Sequence, residues 1–340
     1  MIRTKFLAVV TLCLIGCATP TTPPRQSTLN SARPLVIAHR GASGYLPEHT
    51  LAAYARAIEM GADFIEPDLV ATKDGALVAR HENEFSATSD IAARFPDRRR
   101  TKEIDGEKIS GWFTEDFTLS EIKQARARER LSFRNQSENG KHEIPTLEEI
   151  LRLIAKSEKK LKRRIGIYPE LKHGGYFRGI GIPLEPLLLE KLAKAGLTPE
   201  KNAVFIQAFE PETLQWISAR SKWPLVQLLL RGDPRFDPMT DEKLKYVRSY
   251  AVGIGPDKRM ILPENFFGSL KSPTDLVERA HREGLVVHPY TFRSDKEFLH
   301  ASYEGEPSRE YEEFFKLGVD GVFSDFTDHA IAARKKYSAN

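Results

Sequence analysis

Apolar runs that end in ionisable or aromatic residues alternate along this chain with stretches of helical periodicity. The runs Leu35–Ala38, Phe64–Val70, Leu77–His81, Ile165–Glu170, Ala203–Phe209, Leu225–Leu230, Ala251–Ile254, Val286–Thr291 and Val319–Ser324 read as strands. The helical stretches between them carry start and stop signals. Thr50 opens one that Gly61 closes, Thr146 and Glu149 form a capping box, and Ser272-Pro273 sets a cap before a proline at the first helical position. Strand and helix repeated this often predict an α/β fold with a parallel sheet, closed as a (β/α)8 TIM-type barrel in a single domain of this size. A doubly wound open sheet is the competing closure.

Two features break the repeat. Nine candidate strands are one more than a barrel takes, and the second and third are joined only by Ala71–Ala76, too short for a crossover helix. Asp74-Gly75 is a tight-hairpin signal, so these two strands are expected to run antiparallel. With those residues as the turn, Lys73 pairs with Ala76, Asp68 faces His81, and both share a face with Glu66. The second feature is an insertion, 84–145, after the third strand. It holds the run Arg98-Arg99-Arg100, a short helix expected over Ser120–Arg130, and a polar stretch near Asn135–Gly140. Rising from a strand end, it is expected to cover the active face as a cap, or to be a surface decoration.

Composition adds an address and removes several chemistries. Arg3 and Lys5 precede a short apolar run, Phe6–Ile15, which reads as an export signal and is below the roughly 20 residues of a membrane span. Leu14-Ile15-Gly16-Cys17 resembles a bacterial lipoprotein cleavage box, so residues 1–17 are expected to be a leader ending at a lipidated Cys17. The segment 18–33 is rich in Pro, Thr and Ser and is expected to be a flexible tether to a barrel domain spanning 34–340. The protein is thus expected outside the cytoplasm, on a membrane at the periplasmic face or cell surface. The only cysteines are Cys13 and Cys17, so the mature domain offers neither a disulfide nor a thiolate ligand. With 51 basic and 47 acidic residues, the net charge of +4 implies no nucleic-acid footprint. Oligomeric state leaves no mark on the sequence.

Barrel enzymes build their sites at the C-terminal ends of strands. Those ends read His39-Arg40, Glu66 and Asp68, His81, Glu170 with Lys172, Gln207 and Phe209, Asp257, His288 and Tyr290, and Asp325. Hydrophobic strands that keep ending in ionisable groups are poorly explained by packing. Glu66, Asp68 and Glu170 would place three carboxylates in a small volume, and a hard divalent cation with oxygen ligands would relieve their repulsion. His39, Arg40, His81 and Lys172 form a basic set suited to an anion. A cation and an arginine beside two histidines suit phosphodiester cleavage: charge on the phosphoryl oxygens is neutralised while imidazoles move protons.

The ordered motifs His39-Arg40-Gly41-Ala42, Pro47-Glu48-His49-Thr50, Glu66-x-Asp68, His81 and Tyr168-Pro169-Glu170-Leu171-Lys172 resemble those of the glycerophosphodiester phosphodiesterase family. Gly253-Ile254-Gly255-Pro256-Asp257 and Val287-His288-Pro289-Tyr290-Thr291 are similar to late motifs of its exported bacterial branch. The resemblance runs from about Leu35 to the last helix. It implies His39 and His81 as the catalytic pair and Glu66, Asp68 and Glu170 as ligands of one divalent cation, calcium in preference to magnesium. Arg40 would hold the phosphate with Lys172 near it, and Gln207, Phe209 and Tyr290 would line the pocket. By similarity to related phosphoinositide-cleaving barrels, His39 would be the base and His81 the acid. The implied reaction takes glycerophosphocholine, glycerophosphoethanolamine and similar diesters to glycerol 3-phosphate and an alcohol, with the glycerol 2-hydroxyl or water as nucleophile.

The chain departs from the family pattern after the third strand, where His-Asp is usual and His81-Glu82-Asn83 stands here. If that aspartate orients the imidazole, the change bears on activity. Pro67 between the two carboxylates removes a backbone donor, which a free strand edge tolerates. His49 is expected to be structural, capping the first helix region. A serine hydrolase is excluded because Gly41-Ala42-Ser43-Gly44 lacks the nucleophile elbow, and no nucleotide-binding loop follows a strand. The alternative from another class is a surface lipoprotein that binds a host or envelope protein and uses the barrel as scaffold.

Overall fold

The computed structural model describes residues 33–339. The expected leader 1–17, with Cys17, and all of the tether but Arg33 lie outside them. The first strand is β1 (Leu35–His39). The second is one path broken at Pro67 into β2 (Phe64–Glu66) and β3 (Asp68–Ala71), and β4 (Leu77–Ala79) returns antiparallel along β3. The insertion carries its own hairpin, β5 (Arg100–Ile104) with β6 (Glu107–Gly111). The third barrel strand is broken beside Pro169 into β7 (Gly166–Ile167) and β8 (Glu170–Leu171). Then follow β9 (Ile206–Ala208), β10 (Leu225–Leu229), β11 (Gly253–Pro256), β12 (Val286–Val287) and β13 (Gly321–Ser324).

From β1 to β12 each barrel strand pairs in parallel with the next, and β13 pairs with β1. The seam between β12 and β13 is closed by Asp320 N donating to Val287 O (2.9 Å), Phe323 N to Pro289 O (3.1 Å) and Phe292 N to Phe323 O (2.8 Å). The result is an eight-stranded TIM-type barrel. The ninth candidate strand is β4, which stands outside the count. β2 lies between β1 and β7, whereas β3 lies between β4 and β8, so β4 takes the edge that β1 vacates after His39. Both prolines fit because their carbonyls still serve the ladder: Pro67 O accepts from Glu170 N and Pro169 O from Gln207 N.

The hairpin register differs from the expected one. Thr72 N donates to Ala76 O and Gly75 N to Thr72 O, with Gly75 at φ 77°. The loop is therefore Lys73-Asp74-Gly75, three residues ending in a left-handed glycine, rather than a two-residue turn. Thr72 explains the extra residue: its hydroxyl donates to Asp74 Oδ1 and accepts from Ala76 N. In consequence Asp68 stands opposite Arg80, whose N donates to Asp68 O, and His81 follows one residue later, past the end of β4. The antiparallel return still carries it back to the level of β1's end.

The barrel is filled by aromatic rings that meet across it. Tyr168 stacks on Phe205 at 4.9 Å and meets Phe323 at 5.1 Å. A Cβ on Gly166 would come within 2.2 Å of the Phe64 ring, so only glycine leaves room there. Helix Leu51–Met60 begins and ends as expected, with Thr50 accepting from Ala53 N and Gly61 left-handed. Helix Leu147–Leu161 carries the expected Thr146–Glu149 capping box. Two helix expectations are corrected. The helix after Ser272-Pro273 starts later, at Leu276, because Thr274 is tied to Met260 O and Ile261 O. In the insertion the helix expected over Ser120–Arg130 spans only Leu119–Ile122, since Arg126 and Ala127 are drawn into bridges with Glu143 and Ser89.

Candidate active site

One cavity of about 690 Å3 opens at the C-terminal ends of the strands, lined among others by His39, Arg40, Glu66, His81, Glu170, Lys172, Gln207, Phe209 and Tyr290. Of the ten residues that the family resemblance implies for the site, Asp68 alone is absent from this lining, and it belongs to the acidic cluster with Glu66 and Glu170. Single ligand atoms of Glu66, Asp68 and Glu170 all fall within 4.8 Å of one another. The register explains this. Glu66 pairs with His39 on β1, and Asp68 pairs with Glu170 on β8, so the three carboxylates come from adjacent rungs of neighbouring strands.

All three are buried. Burial, then the charges of Asp68 and Glu170, pushes Glu66 well above the usual carboxylate range. Glu170 is pushed up to about 8 by burial and by Asp68, against the pull of Lys172. Burial also opposes ionisation of Asp68, but the hydrogen bond from His49 and the charges of its basic neighbours, Lys172 among them, together outweigh it and hold Asp68 well below its ordinary value. Asp68 Oδ1 and Gln207 Oε1 are buried without a hydrogen-bond partner. Clustered carboxylates, two of them held protonated, and an orphaned oxygen at their centre are what a bound cation relieves. The donor set fits a hard divalent ion held by Glu66, Asp68 and Glu170.

Each catalytic candidate among the histidines is backed by a carboxylate. His39 Nδ1 donates to Asp325 Oδ1 at 2.7 Å, and His81 Nδ1 lies 2.6 Å from Glu82 Oε1. In both rings Nε2 is the nitrogen left for the cavity. At His81 this nitrogen lies 3.3 Å from Lys172 Nζ, and an ammonium can only donate, so His81 rests as the neutral Nδ1–H tautomer. Burial, followed by Arg40, lowers His39 to about 4; burial, Arg40 and Lys172 lower His81 to about 3. Both are neutral in the resting site.

The cations are held in place from behind. Arg40 has left-handed backbone (φ 60°), its N donates to Glu66 Oε2 at 2.8 Å, its Nη1 reaches both oxygens of Glu48 at 3.2 Å, and its Nε lies 3.3 Å from Asp68 Oδ2. Lys172 Nζ lies 2.9 Å from Glu170 Oε1. Gln207 Nε2 donates to Glu66 Oε1 at 3.3 Å, and Tyr290 donates to Leu229 O while its ring meets Phe209 edge-on.

Five strand-end or motif residues have roles other than lining the cavity. His288 is fully buried in the barrel interior, hydrogen-bonded to Tyr168, and does not line the cavity. Asp257 is clamped by Arg259 and caps a short turn. His49 caps no helix; Thr50 does that, while His49 bridges Tyr54 (2.7 Å) and Asp68 (2.9 Å) and so aims a carboxylate of the cluster. Glu48 anchors Arg40 and Arg130. Asp325, at the end of the last strand, holds His39, and Arg134 and Arg293 hold its second oxygen. The insertion reaches the mouth directly, since Arg130 and Leu131 line the cavity.

A model of the glycerophosphoryl diester phosphodiesterase family matches residues 39–329. The chain is 40% identical over 325 residues to the glycerophosphodiester phosphodiesterase GDPD6 of Arabidopsis thaliana, covering 89% of this chain and 86% of that one. It is 30% identical over 352 residues to a glycerophosphodiester phosphodiesterase of Bacillus subtilis, covering 99% and 100%. Among solved structures, an Oleispira antarctica phosphodiesterase in complex with the product sn-glycerol-3-phosphate shares the fold, with TM-score 0.63 at 20% identity, covering 88% of this chain and 96% of that one. A glycerophosphodiester phosphodiesterase from Agrobacterium tumefaciens does so with TM-score 0.58 at 18% identity, covering 87% and 99%.

Proposed function

Since this chain belongs to the glycerophosphoryl diester phosphodiesterase family, we propose that it hydrolyses glycerophosphocholine, glycerophosphoethanolamine and similar diesters by acid–base catalysis between His39 and His81, with one divalent cation. The observation that carries this reading is two carboxylate-backed imidazoles on one cavity with a three-carboxylate cluster. A cation held by Glu66, Asp68 and Glu170 supplies positive charge against the phosphoryl oxygens when bound. Calcium is favoured over magnesium.

Arg40 and Lys172 bind the phosphate, and their pairing to Glu48 and Glu170 fixes their direction before substrate arrives. His39 Nε2 takes the proton from the nucleophile, the glycerol 2-hydroxyl or water. Asp325 supports this step because it accepts the Nδ1 proton and stabilises the imidazolium that forms. His81 gives a proton from Nε2 to the leaving alkoxide as its bond to phosphorus breaks. The substrate's anionic phosphate and Glu82 both favour the protonated ring that this requires. Attack by the 2-hydroxyl leaves a cyclic phosphate that water opens; attack by water gives glycerol 3-phosphate at once. Phe209, Tyr290 and Gln207 form the wall beside the phosphate.

We place the enzyme outside the cytoplasm in the exported bacterial branch, anchored through Cys17, on the strength of the leader pattern in residues 1–17. The activity is tested by following glycerol 3-phosphate release from glycerophosphocholine in a coupled assay, with and without a chelator. Release that stops on chelation and returns with the cation supports the reading. No release from any deacylated phospholipid removes it.

A further inference from the structure

Glu82, the residue that departs from the family pattern, is one methylene longer than aspartate, and its two oxygens go to two different imidazoles. Oε1 lies 2.6 Å from His81 Nδ1 and Oε2 accepts from His173 Nε2 at 2.8 Å. The other nitrogen of His173, Nδ1, lies 2.6 Å from Asp105 Oδ2. A carboxylate can only accept, so His173 donates from both nitrogens and is an imidazolium between two carboxylates. Asp105 sits at the tip of the β5–β6 hairpin, in a two-residue Asp105-Gly106 turn with both residues at positive φ (51° and 87°). The chain of contacts therefore runs from the insertion, through the loop after β8, to the back of the imidazole facing the cavity.

We propose that His173 and Asp105 are positioning residues for His81, acting through Glu82, and that holding them is a function of the insertion's hairpin. The inference rests on His81 being catalytic, as proposed above. The side chain of Glu82 is 47% exposed, and an exposed glutamate held at one oxygen retains several rotamers. The second hold, from His173, removes that freedom. His173 has left-handed backbone (φ 54°), uncommon for a residue with a Cβ, which aims its ring back across the mouth toward Glu82 instead of along the following helix. His173 in turn keeps its place through Asp105, which no other part of the barrel supplies. Neither His173 nor Asp105 lines the cavity around His39 and His81; both line an adjoining cavity that shares Glu170, Lys172 and Phe209 with it, so the kcat-against-KM split below separates positioning from substrate contact. The charges alternate along the path: neutral imidazole, carboxylate, imidazolium, carboxylate. That order keeps Glu82 ionised and its acceptor turned to His81 Nδ1, which leaves Nε2 for proton transfer.

The test is a kinetic cycle on the full chain with glycerophosphocholine: wild type, Asp105→Asn, His173→Ala, Glu82→Asp, and Glu82→Asp with His173→Ala. Asp105→Asn and His173→Ala are expected to lower kcat about tenfold with KM within about twofold, the effect of losing one orienting hydrogen bond. In the Glu82→Asp background the shorter carboxylate cannot span both rings, so His173→Ala should cost nothing further. Unchanged kcat in His173→Ala, or the same loss in both backgrounds, overturns the proposal. A second readout needs no turnover. Lys172 holds the Nδ1–H tautomer in both proteins, so imidazole 15N and 1H spectra should show the His81 Nδ1–H resonance shifted or broadened in His173→Ala as its carboxylate neighbour loses a fixed position; an unchanged spectrum overturns the proposal. A protein inactive on every diester that still shows this spectral change would sink the assigned reaction and leave the positioning chain standing.

Discussion

His39 Nδ1 lies 2.7 Å from Asp325 Oδ1, although 286 residues separate the two in sequence. The pairing closes the barrel chemically as β13 against β1 closes it structurally, because both residues sit at the ends of those two strands. Arg134 from the insertion and Arg293 hold the second carboxylate oxygen, and their charges with the His39 hydrogen bond drive Asp325 far below the usual carboxylate range despite its burial. Asp325 is thus an acceptor at every pH the enzyme meets. Asp325→Asn should keep the barrel, as read by circular dichroism, and lower kcat by about 10²-fold or more, since an amide holds the ring but cannot balance its charge. A kcat within a factor of two of wild type would show that His39 works without it.

His39→Ala and His81→Ala should each lower kcat by about 10²–10⁴-fold while the thermal transition stays cooperative. The paired variant should be little slower than either single one, because the two imidazoles act as a unit. Substantial turnover in one single variant would remove that residue from the mechanism.

Glu170→Gln should weaken cation binding more than it weakens the fold. Glu170 is pushed up to about 8 by burial among carboxylates, so in metal-free protein it is already held largely neutral and the amide replaces it at little cost. Melting in chelator should match or exceed wild type, while the rise in melting temperature on adding calcium should shrink. An unchanged calcium response would contradict Glu170 as a ligand.

Much of this arrangement is legible from residue order. Every barrel strand, the cap at Thr50, the Thr146–Glu149 box and the carboxylate set appear as local patterns, because burial and capping are local demands. The partners of the histidines do not. Asp325 meets His39, and His173 and Asp105 meet Glu82 and each other, only after the chain has closed the barrel or folded the insertion back, and no spacing encodes that; only Glu82, adjacent to His81, is local. The β3–β4 register failed for a smaller reason: the Thr72 hydroxyl competes with the backbone and lengthens the Asp74-Gly75 turn by one residue. His288 and Asp257 share the strand-end pattern but serve packing and a turn, which sequence alone does not separate from chemistry.

Stability should carry a pH signature from His173. Burial lowers its proton affinity, but Asp105 and Glu82 outweigh this and raise it from 6.5 to about 9. A raised histidine contributes stability that is complete below pH 6.5 and is lost as pH rises through 9. Melting temperature should therefore fall between pH 6.5 and 9 by about 2–6 °C more in wild type than in His173→Gln. Parallel curves for the two proteins would contradict the imidazolium assignment.

Cys17→Ala should release the protein from the membrane fraction of cells that express it, since lipidation at that residue is the proposed anchor. Retention on membranes would place the attachment elsewhere.

In the proposed mechanism Glu66, Asp68 and Glu170 converge on one ion that the two histidines need. Calcium titrated into chelator-stripped protein, with heat of binding and glycerol 3-phosphate release read on the same samples, tests this most directly. One equivalent should bind, turnover should rise in step with occupancy, and Asp68→Asn should abolish both. Full turnover in the stripped protein, or binding that Asp68→Asn leaves intact, would contradict the claim.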